Sequence, residues 1–208
     1  MTLGTIMGKN ESYTLERYLD LKKRVVLGVG DDTGRRVAVK KYSREGRFSH
    51  LFEREAKITM IFEGIGGHPN VMPVDELIED DHGNYIIFPY LNGNHLYAVN
   101  KELVHLMIPE VVPIMRGIFE GLIFIHDQEV LHRDIKSENV FIHSDEEIDG
   151  VVLKTRKFTP VIFDFDCATY PGYFEDISCI VGTQEYIAPE IWNERVASKL
   201  TDQYSLGI

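Results

Sequence analysis

The feature that most constrains this chain is a change of pattern between residues 111 and 166. Val111, Ile114, Met115, Ile118, Phe119, Leu122 and Ile125 recur at helical spacing and predict a buried amphipathic helix. A dense polar octet follows, His132-Arg133-Asp134-Ile135-Lys136-Ser137-Glu138-Asn139. Val140-Phe141-Ile142 then reads as a short apolar strand, and Val161-Ile162-Phe163 as a second one that ends at Asp164 and Asp166. A helix that delivers the chain into a loop, with two strand ends beside it, presents these polar side chains at one edge.

The chemistry open to such an edge is narrow. Asp134 offers a carboxylate to orient a hydroxyl, Lys136 a cation, and Asn139 and Asp164 oxygen donors of the kind that magnesium takes. The octet also matches H-R-D-x-K-x-x-N, and Asp164-Phe165-Asp166 stands where D-F-G follows it. The pair of motifs resembles the catalytic core of a eukaryotic-type protein kinase. A chance charged loop after a helix is the bland alternative, which an eight-residue match disfavours.

The resemblance implies an α+β fold of two lobes within residues 1–208. A small β-rich lobe with one main helix spans about 13–90, a hinge about 89–93, and a mostly helical large lobe, incomplete here, 94–208. It implies ATP and Mg2+ as cofactors. Asp134 would orient the substrate hydroxyl and accept its proton, Lys136 would sit near the γ-phosphate, and Asn139 and Asp164 would hold the metal.

Strands are expected near Tyr13 to Leu21, at Arg24 to Val29 and at Arg36 to Lys41, the last after the turn at Gly30 to Gly34. Val37-Ala38-Val39-Lys40 resembles the kinase strand whose lysine holds the α- and β-phosphates. Ser49 is placed to cap a helix through Leu51, Phe52, Glu55, Thr59 and Phe62. By resemblance a glutamate of this helix pairs with Lys40; Glu55 has the apolar neighbours, and Glu53 is its rival. The phosphate-covering loop departs from the family, because Leu19 to Arg24 contains no glycine and Gly28 and Gly30 lie too near Lys40. Lys22, Lys23 and Arg24 either compensate with charge or are solvated surface residues.

Gly66 to Val71 reads as a turn leading into a strand, similar to the H-P-N-I link of kinases. Tyr85 to Phe88 is a further strand, and Pro89 to Gly93 looks like the hinge. By resemblance Phe88 is the gatekeeper, Pro89, Tyr90 and Leu91 offer backbone groups to adenine, and Ala38 and Phe141 enclose its ring. Pro89 removes one backbone donor.

Asp166 replaces the glycine of D-F-G, a change expected to fall on switching more than on metal binding. Gly182-Thr183-Gln184-Glu185-Tyr186-Ile187-Ala188-Pro189-Glu190 resembles the close of a serine/threonine kinase activation segment, with Thr183 hydrogen-bonded among the catalytic residues. Arg133 would bind a phosphate on that segment. The usual phosphosite falls on Cys179, so Ser178 is the substitute for an upstream activating kinase, unless Glu175 or Asp176 mimics the phosphate. Asp202-Gln203-Tyr204-Ser205-Leu206-Gly207 resembles the start of the central helix of the large lobe, short of the arginine that would pair with Glu190. The resemblance therefore implies a fragment or a natural truncation.

Composition narrows the partners. A formal net charge of -11 argues against a nucleic-acid-binding surface and against anionic membranes, and fits a basic protein substrate. Cys167 and Cys179 are too few for a disulfide framework; they read as free thiols, or as a regulatory pair. No basic-then-apolar leader precedes Asn10 and no apolar run reaches spanning length, so a cytoplasmic or nuclear setting is expected. Two other functions compete with a protein kinase. One is a non-catalytic pseudokinase, suggested by the glycine-free loop. The other is a small-molecule kinase, against which the peptide-docking segment at Gly182 to Glu190 speaks.

Overall fold

Period-2 burial builds an antiparallel sheet from strands within residues 4–89. Six strands, β1 (Gly4–Met7), β2 (Ser12–Tyr18), β3 (Val25–Gly30), β4 (Arg36–Tyr42), β5 (Glu76–Asp80) and β6 (Gly83–Pro89), pair in the order β1-β2-β3-β4-β6-β5. The computed structural model describes residues 2–22, 24–44, 50–102, 108–144, 158–170 and 180–208. On one face Leu15, Val26, Val37, Val39, Tyr85 and Ile87 form a buried cluster. The alternation that turns Val37 and Val39 to this cluster sends Ala38, Lys40 and Tyr42 to the other face. There Lys40 and Tyr42 meet helix α1 (His50–Gly64), which buries Phe52, Glu55, Ile58, Thr59 and Phe62. The expected cap, Ser49, lies outside the described residues.

The chain divides into two compact units, Met1–Glu63 with Pro73–Tyr90, and Gly64–Met72 with Leu91–Ile208. The first holds the sheet and α1. The second holds β7 (Gly93–His95), α2 (Leu96–Glu102), α3 (Ile108–Asp127), β8 (Val140–His143), β9 (Thr159–Ile162), α4 (Pro189–Glu194) and α5 (Lys199–Leu206). Its three strands pair in the order β7-β8-β9, all antiparallel. No helix among the described residues is long and apolar enough to cross a membrane.

Helix α3 forms where its periodicity places it, but the buried stripe is narrower than expected. Ile114, Ile118, Leu122 and Ile125 are buried, whereas Val111 and Phe119 are 36% and 49% exposed. The stripe is completed by two glycines instead. A Cβ on Gly117 would stand 2.6 Å from Pro160 Cγ, and one on Gly121 would stand 2.7 Å from the Asn70 carbonyl oxygen. The missing side chains let α3 lie close against β9 and turn the arc away from Val111 and Phe119.

Three expectations need correction. The first strand ends at Tyr18, not Leu21, because residues beyond it turn back on Asp20. Val71 makes only a single parallel bridge to Ile162. The Asn70 side chain donates to the Pro160 carbonyl at 2.7 Å, its backbone oxygen accepts from Ile162 N at 2.8 Å, and Met72 N donates to Ile162 O at 2.9 Å. One asparagine thus clamps the segment to β9 without a ladder. Strands β1, β5 and β7 were not foreseen, since each is short or carries charged residues that break the alternation.

Gly93 sets the position of β7. Its φ is 140°, and a Cβ there would come 1.9 Å from the Ile142 carbonyl oxygen of β8. Gly93→Ala is therefore expected to destabilise the protein by about 2–4 kcal/mol, through a backbone clash and a disallowed φ together. Denaturant titration measures this directly, and an unchanged midpoint would show that β7 is not held against β8.

Candidate active site

In the first unit a lysine and a glutamate meet in the dry. Lys40 Nζ lies 2.6 Å from Glu55 Oε2, with side chains 6% and 1% exposed. A pair so buried is held by geometry, because each charge alone would carry a desolvation cost of several kcal/mol. Glu53 points to solvent, which decides between the two candidates. The sequence reading missed a third member. The Tyr42 hydroxyl donates to the same Glu55 oxygen, and the Lys40 ammonium lies 5.4 Å from the Tyr42 ring centre. Tyr42 sits two residues beyond Lys40, so strand alternation alone could have flagged it.

Tyr42→Phe keeps the ring and its edge contact with Phe52, whose centroid is 5.6 Å away. Loss of the hydroxyl is expected to cost about 1–2 kcal/mol of folding stability. Equal stability of the two proteins in denaturant would show that the hydroxyl does not hold Glu55.

The other residues expected at this end fall along β4 and β6. Ala38 lies directly opposite Phe88, and Val37 opposite Pro89. Phe88 is buried, and Tyr90 receives the Arg36 guanidinium 4.9 Å above its ring. Leu91 opens the second unit, where Phe141 of β8 is half-buried and edge-on to Phe163, with centroids 6.4 Å apart.

The second unit gathers the polar octet around Asp134. Lys136 Nζ donates to Asp134 Oδ2 at 2.8 Å and to Thr183 Oγ1 at 2.6 Å, while the Thr183 hydroxyl donates to Asp134 Oδ1 at 2.8 Å. Asn139 Nδ2 donates to Asp134 Oδ2 at 2.9 Å and to its backbone oxygen at 2.8 Å. Asp134 is therefore held on both oxygens by donors from three other residues.

Asp202 builds the loop that carries this cluster. Its carboxylate accepts from His132 N at 2.9 Å and Arg133 N at 2.8 Å, and lies 2.9 Å from His126 Nε2. Ser198 caps α5 and fixes this first-turn aspartate: its hydroxyl accepts from Leu200 N at 3.2 Å, and the Thr201 hydroxyl accepts from Ser198 N at 3.2 Å. Asp202 was noticed as a helix start only, and its role as an anchor was missed. His132 is wholly buried, its ring centre 5.0 Å from that of Phe165 and tilted 53° to it, with Nε2 3.1 Å from the Phe163 oxygen.

Two non-glycine residues beside the cluster take left-handed backbone, Arg133 at φ 63° and Asp164 at φ 67°. Such conformations cost on the order of 1 kcal/mol or more and persist where packing overrides them. Gly182 follows suit at φ 104°, because a Cβ there would stand 2.5 Å from the Arg133 oxygen. Arg133 does not wait in solvent for a phosphate: it is buried, and its Nε donates to the Cys167 carbonyl at 2.7 Å. Glu175, Asp176, Ser178 and Cys179 lie outside the described residues.

The profile of the protein kinase domain family matches residues 23–208. The chain belongs to the protein kinase family. Among similar proteins, serine/threonine-protein kinase DCLK3 of Mus musculus is 28% identical over 141 residues, covering 68% of this kinase chain and 17% of that protein. The protein named putative serine/threonine-protein kinase R436 of Acanthamoeba polyphaga mimivirus is 26% identical over 208 residues, 95% of this chain and 70% of that one. A calcium and calcium/calmodulin-dependent serine/threonine-protein kinase of Lilium longiflorum is 26% identical over 148 residues, 71% of this chain and 27% of its own. The kinase chain thus spans a minor part of the mouse and lily proteins and most of the viral one.

The donor chemistry of this kinase suits magnesium. Asn139 and Asp164 supply hard oxygens, and the carboxylate oxygens of Asp164 and Asp166 come within 4.8 Å of one another. Cys167, beside them, stays an unreactive thiol. Burial pushes its pKa up to about 11, and the negative charges of Asp134, Asp164 and Asp166 push the same way.

Proposed function

We propose that this chain catalyses ATP-dependent transfer of a phosphoryl group to serine or threonine hydroxyls of protein substrates. The observation that carries the reading is the closed arrangement of Asp134, Lys136, Thr183 and Asn139. Asp134 accepts the proton of the substrate hydroxyl as that oxygen bonds to the γ-phosphorus and the bond to the ADP oxygen breaks. Lys136 holds the migrating phosphoryl group, and Thr183 keeps Lys136 and Asp134 in register. Lys40, oriented by Glu55, takes the α- and β-phosphates. Asn139 and Asp164 would hold Mg2+, which supplies charge neutralisation on the phosphate oxygens. Ala38, Phe88, Pro89, Tyr90, Leu91 and Phe141 receive the adenine.

The net charge of -11 favours basic substrate segments, away from anionic lipid and nucleic acid, and the setting we propose is cytoplasmic or nuclear. Ser178 is the residue for an upstream activating kinase. One observation favours a second reading, a binding module without catalysis: the β2–β3 turn is glycine-free and closed on its own carboxylate. The test is transfer of labelled γ-phosphate from Mg-ATP to a basic peptide bearing serine or threonine, with a tyrosine peptide beside it. Transfer to the first alone is expected. Mg-ATP binding without transfer would favour the binding module and sink the catalytic reading.

A further inference from the structure

The connection between β2 and β3, residues 19–24, is where the family's phosphate loop would lie, and it contains no glycine; Lys23 within it lies outside the described residues. Asp20 Oδ1 accepts from the backbone N–H of Arg24 and of Val25, both at 2.8 Å. Leu19 N donates to Val25 O at 2.8 Å, so the carboxylate sits inside a closed turn. The far end of this turn is joined to the phosphate lysine: Val25 lies directly opposite Lys40, and Lys41 N donates to Arg24 O at 2.8 Å.

We propose that Asp20 is a positioning residue for the nucleotide, its carboxylate holding the turn closed so that the start of β3 stays in register beside Lys40. A glycine loop is shaped by backbone freedom and leaves its N–H groups for phosphate oxygens. Here a side-chain oxygen takes two of those N–H groups, so the turn is specified from within, as an aspartate specifies a helix cap. The inference rests on the phosphoryl-transfer reading, because it is that reading which gives Lys40 its phosphates.

The test measures Mg-ATP dissociation constants by calorimetry on the 208-residue chain and on its Asp20→Asn and Asp20→Ala forms. Asparagine keeps the oxygen acceptor and loses the charge, while alanine loses both. Comparing the two holds the charge constant and isolates the hydrogen bonds. Asp20 is half-exposed in a surface turn, and matching circular dichroism spectra at the assay temperature check that all three chains are folded. The alanine form is expected to bind about fivefold more weakly than the asparagine form, the fold-change of one lost cap. The amides of Arg24 and Val25 should exchange faster with solvent in the alanine form alone. Equal affinities for the two variants, or unchanged exchange, overturn the proposal by itself. A parent chain that binds no Mg-ATP overturns it together with the functional reading.

Discussion

Asp134→Asn is expected to lower phosphoryl transfer by about a thousandfold or more while leaving Mg-ATP affinity within about twofold. The substitution preserves shape and removes one function. Both carboxylate oxygens face donors, Oδ1 that of Thr183 and Oδ2 those of Lys136 and Asn139. An asparagine must turn its NH2 toward one of these sets, so it loses the proton acceptor and gives up the contacts of either Thr183 or the Lys136 and Asn139 pair. Asp134 makes its contacts with Lys136, Asn139 and Thr183, none of which this reading places on the α- or β-phosphate. Binding should therefore survive where turnover does not. Steady-state transfer and nucleotide calorimetry on the two proteins measure both quantities. Equal turnover would remove Asp134 from the chemistry.

Asp202→Ala should be the most damaging change away from the reacting atoms, costing about 3–5 kcal/mol of stability. It strands the backbone donors of His132 and Arg133 and the ring nitrogen of His126, in a site where His132 is 0% exposed. The loop that carries Asp134 loses its anchor at the same stroke, so transfer should fail in whatever fraction remains folded. Asp202→Asn, which keeps one acceptor, should fall between. A denaturation midpoint for the alanine form within about 1 kcal/mol of the parent would show that the loop is held by other means.

Much of this was legible before any coordinates. The octet around Asp134 was legible through its resemblance to the H-R-D-x-K-x-x-N motif of protein kinases, and the family match over residues 23–208 agrees. Strands β3, β4 and β6 and helices α1 and α3 follow from apolar period. Glu55 was preferred to Glu53 from its neighbours, and the buried pair with Lys40 agrees. The misses have a common physical source. Val111 and Phe119 follow the helical period, yet the arc is turned by Gly117 and Gly121, whose value is the space they leave for Pro160 and Asn70. No periodicity rule registers an absent side chain.

Local sequence thus determined by itself the family resemblance that points to the chemistry, and which segments are strand or helix, because motif spacing and apolar period act within a few residues along the chain. The tertiary structure alone decided who holds the chemistry in place. Asp202 reaches His132 across 70 residues, Asn70 reaches Pro160 across 90, and Tyr42 reaches Glu55 across 13. Each partnership is chosen by which buried N–H, carbonyl or carboxylate the packed chain would otherwise leave unsatisfied, and that need exists only once the elements are together.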